Sequence, residues 1–322
     1  MDLPQRNRDI SLQIVIGFCS TIHYPPLKTL EPGTEKERFV VLNPAKEDLY
    51  RGVLDDKEIK PVKIGGVWYP RLFEKGKDEG NWVILHFHGG AYVMGGCRPI
   101  EGGWGPEILA KKINGLAFLP QYRLTSHPIS RFPAALQDAV TSYSYLLQLG
   151  FPASKIIFSG DSAGGNLALS LLRYVGEHEN VLPYPYACFG WSPWLNLNIG
   201  PGAVNDHRNE KTDYIPWSLV EWSLGTFKPK DLEYSNPYFS PLGNEFATRV
   251  PIFVHSGTAE VLIDDHADFV RRMKEIEGNR VELLQTANAQ HDIFAAGQIM
   301  GFVKEANQAM DAAKLFLEEK RK

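Results

Sequence analysis

The five residues Gly160-Asp161-Ser162-Ala163-Gly164 carry the clearest chemistry in the chain. They follow the apolar run Lys155-Ile156-Ile157-Phe158-Ser159 and precede a helical pattern. A serine in a sharp strand-to-helix turn has its hydroxyl lifted above the sheet edge, and small flanking residues let the backbone turn that tightly. Ser162 is therefore a candidate nucleophile. A plain glycine-rich turn would explain the pentapeptide alone, but it would not account for a second feature upstream. His88-Gly89-Gly90, followed by Ala91 and Tyr92, closes an apolar run at residues 82–87. Backbone without bulky side chains can aim its N–H groups at a developing oxyanion. Gly89 and Gly90 suit that task, and Ala163 adds an N–H at a helix N-terminus, where the helix dipole also favours negative charge. The chemistry indicated is acyl transfer through a covalent serine intermediate.

A serine hydroxyl attacks poorly unless a base takes its proton. Where such an elbow serine is used, the acid and then the histidine follow it along the chain. His178, His207, His255, His266 and His291 lie beyond Ser162. His255 falls inside an apolar run, His266 inside a helical pattern and His207 in an irregular stretch. His291 alone follows a late strand, residues 281–284, and precedes a helix, so it is the candidate base. For the acid, Glu260, Asp264 and Asp265 follow the run Pro251-Ile252-Phe253-Val254-His255. The two aspartates open a helix, where negative charge is favourable in any case. Glu260 lies in the preceding turn and is the candidate acid.

A frame must hold these groups together. Residues 82–87, 115–120, 155–159, 186–191 and 251–255 read as short, fully apolar strands, as expected of strands buried on both faces. Helical patterns occupy 133–149, 163–175, 263–276 and about 295–319. The alternation predicts a single α/β domain over 1–322, with a mostly parallel sheet covered by helices on both faces. Two stretches break the rhythm: residues 1–50, and residues 193–245, which are rich in Trp, Tyr, Pro and Asn. So long a link between β/α units needs a reason, and both stretches are expected to supply a cap over the site. Tyr92, Trp194 and Trp217 are candidate substrate-facing aromatics.

The composition excludes several classes. Hydrophobic residues make up 43% and charged residues 22%, an ordinary globular balance, and the net charge of -4 gives no footprint for nucleic acid. No apolar run approaches the ~18 residues of a membrane span. Cys19, Cys97 and Cys188 are odd in number and widely spaced, which points to a reducing, cytoplasmic setting. Residues 10–18 are apolar and follow Arg6 and Arg8, but Asp2 and Asp9 flank them and no small-x-small cleavage site follows. They read as a helix over the site and not as a cleaved leader. No His/Cys/carboxylate cluster at metal spacing is present, so no metal is expected. A homodimer is compatible with the sequence.

The segments HGGAYVMGG, Tyr122-Arg123-Leu124 through Phe132-Pro133-Ala134-Ala135 to Asp138, GDSAGGNLA and Ser192-Pro193-Trp194 together resemble the hormone-sensitive-lipase family, the HGG-motif branch of esterases. The likeness runs from about Trp82 to His291 in order. It implies the α/β-hydrolase fold with an N-terminal helical cap, and ester hydrolysis through an acyl-enzyme with neither metal nor organic cofactor; the expected substrate is a small or medium hydrophobic ester or lactone. In this pattern Ser162 matches the nucleophile, His291 the base and Glu260 the acid. Gly89, Gly90, Ala91 and Ala163 match the oxyanion hole. Ala91 stands where a third glycine is common, and Phe294 lies three residues after the histidine where the family has Phe at two. The same residues would serve amide or formamide cleavage, acyl transfer or ring closure. The gibberellin receptors, similar in pattern, lack the catalytic histidine that is present here.

Overall fold

The computed structural model describes residues 29–125, 130–198, 209–215, 217–229 and 232–319. Eight strands form one sheet: β1 (Phe39–Leu42), β2 (Ile64–Tyr69), β3 (Trp82–Phe87), β4 (Gly115–Gln121), β5 (Ile156–Asp161), β6 (Ala187–Trp191), β7 (Ile252–Gly257) and β8 (Val281–Thr286). Their spatial order is β1-β2-β4-β3-β5-β6-β7-β8. The first two neighbour pairs are antiparallel and all the others parallel. The helices are α1 (Trp104–Lys112), α2 (Ala134–Gln148), α3 (Ala163–Glu177), α4 (Trp217–Phe227), α5 (Ile263–Glu275), α6 (Ile293–Met300) and α7 (Val303–Glu319).

Strand periodicity sorts side chains between two apolar layers. Along β3, Val83, Leu85 and Phe87 join one layer while Ile84 joins the other. Along β5, Ile156 and Phe158 face the first and Ile157 the second. Helices α2, α3 and α5 cover the first layer through Val140, Leu171 and Phe269. Helices α1 and α7 cover the second through Leu109, Met310 and Phe316. Burial on both faces explains why these strands read as continuous apolar runs.

Two features differ from the sequence expectation. Strand β1 extends the sheet within the stretch expected to be cap, and β2 adds a strand before the first one expected. In β2, Gly65 and Gly66 each lie beneath an aromatic ring, Phe39 for one and Phe118 for the other, where a Cβ would collide. The expected cap therefore excludes residues 39–42, and the helix expected at residues 10–18 lies outside the described residues. The terminal helix is two helices, α6 and α7, broken at Gly301 (φ 82°), a left-handed cap position. The stretch from 193 to 245 has no strand among its described residues and contributes α4. It is anchored through Leu195, Leu197, Phe227 and Phe239, all buried in the first layer.

Candidate active site

The loops at the C-terminal ends of β3, β5, β6, β7 and β8 converge on one edge of the sheet, where open α/β sheets bind ligands. Strand β5 ends at Asp161 and α3 starts at Ala163, which leaves Ser162 alone in the turn. Its dihedrals, φ 50° and ψ -118°, are sparsely allowed for a side chain of any kind and cost about 1–3 kcal/mol. The surroundings enforce them. Ser162 N–H donates to the Trp191 carbonyl at 2.9 Å, and the Ser162 carbonyl accepts from Trp194 N–H at 2.9 Å. A Cβ on Gly160 would strike the Gly164 carbonyl, and one on Gly164 would strike that of Phe87. The glycines of the pentapeptide are thus required by close backbone approach. The serine itself is half-buried.

The loop after β3 is strained in the same way. Gly90, Ala91 and Tyr92 are consecutive residues with positive φ, at 106°, 52° and 63°. Alanine and tyrosine tolerate this only where other contacts fix them. Val93 and Met94 donate their N–H groups to the Gly90 carbonyl at 2.9 and 3.0 Å. Tyr122 donates its hydroxyl to the His88 carbonyl at 2.6 Å, and its ring stacks on the His88 imidazole at 4.3 Å. Arg123 in turn grips the buried Asp138 with its backbone N–H and its guanidinium. The Tyr-Arg-Leu…Asp segment is therefore a buttress for the HGG loop. Tyr92, expected to face substrate, is buried. Its hydroxyl donates to Asn166 Oδ1 at 2.8 Å and its ring stacks on Phe227 at 4.4 Å.

The structure brings Glu260 and His291 together. His291 Nδ1 lies 2.9 Å from Glu260 Oε2, with both side chains buried. Glu260 Oε1 accepts from Ser256 Oγ at 2.8 Å, from Ser192 Oγ at 3.1 Å and from the Gly257 N–H. Burial alone would raise this carboxyl. The neighbouring imidazoles and the hydrogen bonds from His291 and Ser256 outweigh it and hold the group down at about 2. Burial lowers His291, and the Glu260 carboxylate outweighs that and raises it, with Asp213 and Asp161 adding to the effect. Asp264 is exposed in the first turn of α5. His255 is buried in β7 on Thr286 Oγ1 at 2.8 Å, and burial pushes it down to about 4. His266 bridges Ser256 Oγ and the Pro193 carbonyl, each at 2.8 Å.

Two further residues organise this corner without having been given a role in the sequence. Ser192, at φ 44°, donates to Glu260 and accepts the Asp292 N–H at 3.1 Å. Asp213, buried in the irregular stretch after β6, accepts the Val261 N–H at 2.8 Å through Oδ2 and the His291 N–H at 3.3 Å through Oδ1. It thereby joins the loop that carries the acid to the loop that carries the base. Asn209 and Thr212 add bonds to the carbonyls of Glu260 and Ala259, both at 2.9 Å. The Ser-Pro-Trp run could have drawn attention to Ser192. Nothing in the local pattern marks Asp213.

Trp194 is buried, with its indole N–H on the Asn196 carbonyl at 3.1 Å. Trp217 opens α4, and its side chain lies outside the described residues. The one-residue displacement of Phe294 is absorbed by Asp292, which is left-handed (φ 55°, ψ 55°) and caps α6 by accepting the Ala295 N–H at 3.1 Å. Phe294 then stacks on Trp191 at 4.2 Å. Among the described residues, Cys97 and Cys188 form no disulfide, and no helix is long and apolar enough to cross a membrane.

Comparison with known proteins gives a consistent picture. A family model described as alpha/beta hydrolase fold matches residues 84–295. An acetyl-hydrolase of Streptomyces hygroscopicus is 30% identical over 187 residues, covering 57% of this chain and 58% of its own. An esterase of Acinetobacter venetianus is 26% identical over 222 residues, covering 68% and 70%. The chain thus spans between half and three quarters of the length of these relatives. A crystal structure of an esterase from the bacterial hormone-sensitive lipase family superposes with a TM-score of 0.69, covering 99% of each chain at 23% identity. At that identity the likeness is one of fold.

Proposed function

Because the chain belongs to the alpha/beta-hydrolase family, we propose that it is a serine carboxylesterase of the hormone-sensitive-lipase type, acting on a small or medium hydrophobic ester or lactone. Ser162 attacks the ester carbonyl while His291 takes the hydroxyl proton and passes it to the leaving alcohol. Water then enters by the reverse route and releases the acid. Glu260 orients the imidazole and balances the charge it gains. The N–H groups of Gly90, Ala91 and Ala163 stabilise the oxyanion. The stretch after β6, which sets Asp213 and Tyr214 against His291, serves as a cap on the site.

The observation that carries this reading is the buried His291–Glu260 pair at 2.9 Å, on the same sheet edge as a serine held at positive φ. A serine alone in the turn between strand and helix, and an imidazole bonded to an ionised acid on the loop opposite, are what a nucleophile and its base require. The relatives named as an acetyl-hydrolase and an esterase favour an ester with a short acyl group. Two buried cysteines outside any disulfide suit a reducing compartment such as the cytosol.

Release of p-nitrophenol from esters of increasing acyl length, from acetate to octanoate, tests this reading. Turnover is expected to be highest at the short end, and Ser162→Ala should lower it by several orders of magnitude in a folded protein. A folded Ser162→Ala protein with near-normal turnover would end the proposal. Analysis of products in the presence of an alcohol or amine acceptor separates hydrolysis from acyl transfer.

A further inference from the structure

Beneath the site lies a group of buried acids and imidazoles for which the esterase mechanism has no use. Asp161 precedes the nucleophile and Asp292 follows the base, and both are nearly inaccessible. Asp161 Oδ1 sits 2.9 Å from His86 Nε2, and His86 Nδ1 sits 3.0 Å from Ser159 Oγ. Backbone geometry brings the second aspartate to the first. Asp161 is the register partner of Trp191 on β6, and the next residue, Ser192, accepts the Asp292 N–H. The two carboxyls lie within hydrogen-bonding reach of each other. Two carboxylates cannot bond to one another, because an ionised carboxyl only accepts; one of the pair must keep its proton.

We propose that Asp161 and Asp292 form a carboxyl–carboxylate pair sharing one proton, which acts as a positioning device by tying the residue before the nucleophile to the residue after the base. The proposal rests on the roles given above to Ser162 and His291.

The proton resides on Asp292. Burial and the charge of Asp161 raise the Asp292 carboxyl well above its ordinary range. Burial also tends to raise Asp161, but the hydrogen bond and charge of His86 outweigh this and keep Asp161 ionised. The other groups facing the pair are His88 on the loop after β3, Glu260 on the loop after β7, Tyr214 after β6 and His291 itself. A second full negative charge here would oppose the oxyanion, since a Cβ on Gly89 of the HGG loop would already collide with Asp161 Oδ2. One proton removes that charge and forms the bond in the same step. The left-handed backbone of Asp292 leaves few residue types that fit: glycine, asparagine and aspartate enter that region most readily.

The pairing has a sign that can be measured. Asp292 is protonated in the fold and ionised in the unfolded chain above about pH 4, so its contribution to stability falls as pH rises toward its folded pKa. Glu260 and Asp161, held low, contribute constantly over the same range. His291 also falls with pH, but it does so equally in wild type and in Asp292 variants. Asp292→Asn keeps the left-handed backbone, the cap on α6 and a donor for Asp161, with no proton to lose. Asp292→Gly keeps the backbone alone.

Thermal unfolding of wild type and both variants, between about pH 6 and pH 9, should show the Asp292→Asn protein gaining on wild type by about 2 °C per pH unit. At neutral pH, kcat for p-nitrophenyl butyrate should be about tenfold higher for Asp292→Asn than for Asp292→Gly, with KM alike. A gap in Tm that does not change with pH overturns the shared proton. A widening gap with equal kcat in the two variants overturns the positioning role. If Asp292→Gly fails to fold, the pH dependence of the Asp292→Asn gap still decides whether the proton is shared. An absence of ester turnover in wild type would count against the esterase reading, while the Tm comparison would still judge the pair.

Discussion

The loop after β7 and the loop after β8 each bring one buried acid to His291, and the two acids are treated in opposite ways. Glu260 receives the Gly257 N–H, the hydroxyls of Ser256 and Ser192, and His291 Nδ1. Asp292 receives the Ala295 N–H and faces another carboxyl. Both are buried, yet one is held down at about 2 and the other is pushed well up. Burial therefore does not decide the charge of an acid here. The supply of donors does, and the backbone on which each acid is mounted decides that supply.

The sharpest way to break this comparison is to remove charge from the nest that keeps it. Glu260→Gln retains the shape and should lower kcat by about 10³–10⁴, because the imidazolium loses its counter-charge and its orienting partner. It should also change the response to acid. A carboxyl held at about 2 contributes stability that is present above the unfolded value near 4.3 and is lost as pH falls toward 2, so wild type should lose its advantage over the variant in that window. A fall in kcat of less than about tenfold would place the acid elsewhere. The control is Asp264→Asn, expected to change kcat by less than about twofold, since that side chain is exposed at a helix start.

A smaller effect is expected from the strap that holds the two loops in register. Asp213→Ala removes the acceptor for the N–H groups of Val261 and His291 and should lower kcat about 10- to 100-fold, because a shift of even 1 Å in the base is costly. An unchanged kcat would show that the loops hold their positions without it. The smallest effect is on the pH profile. From the sequence alone the acid limb of kcat/KM is expected near the free histidine value of ~6.5. Glu260, Asp213 and Asp161 raise His291, so the limb belongs above that value, and Asp213→Ala should move it down. A limb at or below ~6.5 in wild type would contradict the charge arrangement.

The parts of this site that were legible in the sequence are those whose conformation is local. Gly160 is required by the Gly164 carbonyl within its own turn, and the doubly buried β3 and β5 announce themselves by their apolar runs. Glu260 and His291 could be found because the order of strands limits where an acid and a base can stand. The remainder depends on chain segments far apart. Asp213 reaches the loops of Val261 and His291 from an irregular stretch with no periodicity. Gly65 and Gly66 hide a strand because their rings come from elsewhere, and Asp292 acquires meaning only beside Asp161. Tyr92 and Trp194 were expected to face substrate as aromatics, but a buried ring with a bonded polar tip serves packing as readily as a pocket.

The central claim is that Ser162 is a nucleophile activated by His291 and Glu260, and covalent labelling addresses it most directly. A fluorophosphonate probe reacts with an activated serine and leaves an ordinary one untouched, and peptide mapping locates the adduct. The account predicts one modified residue, Ser162, with labelling lost in Ser162→Ala and slowed by orders of magnitude in Glu260→Gln. An adduct on another serine, or a folded wild-type protein that takes up no label, would contradict it and favour a binding role for the fold.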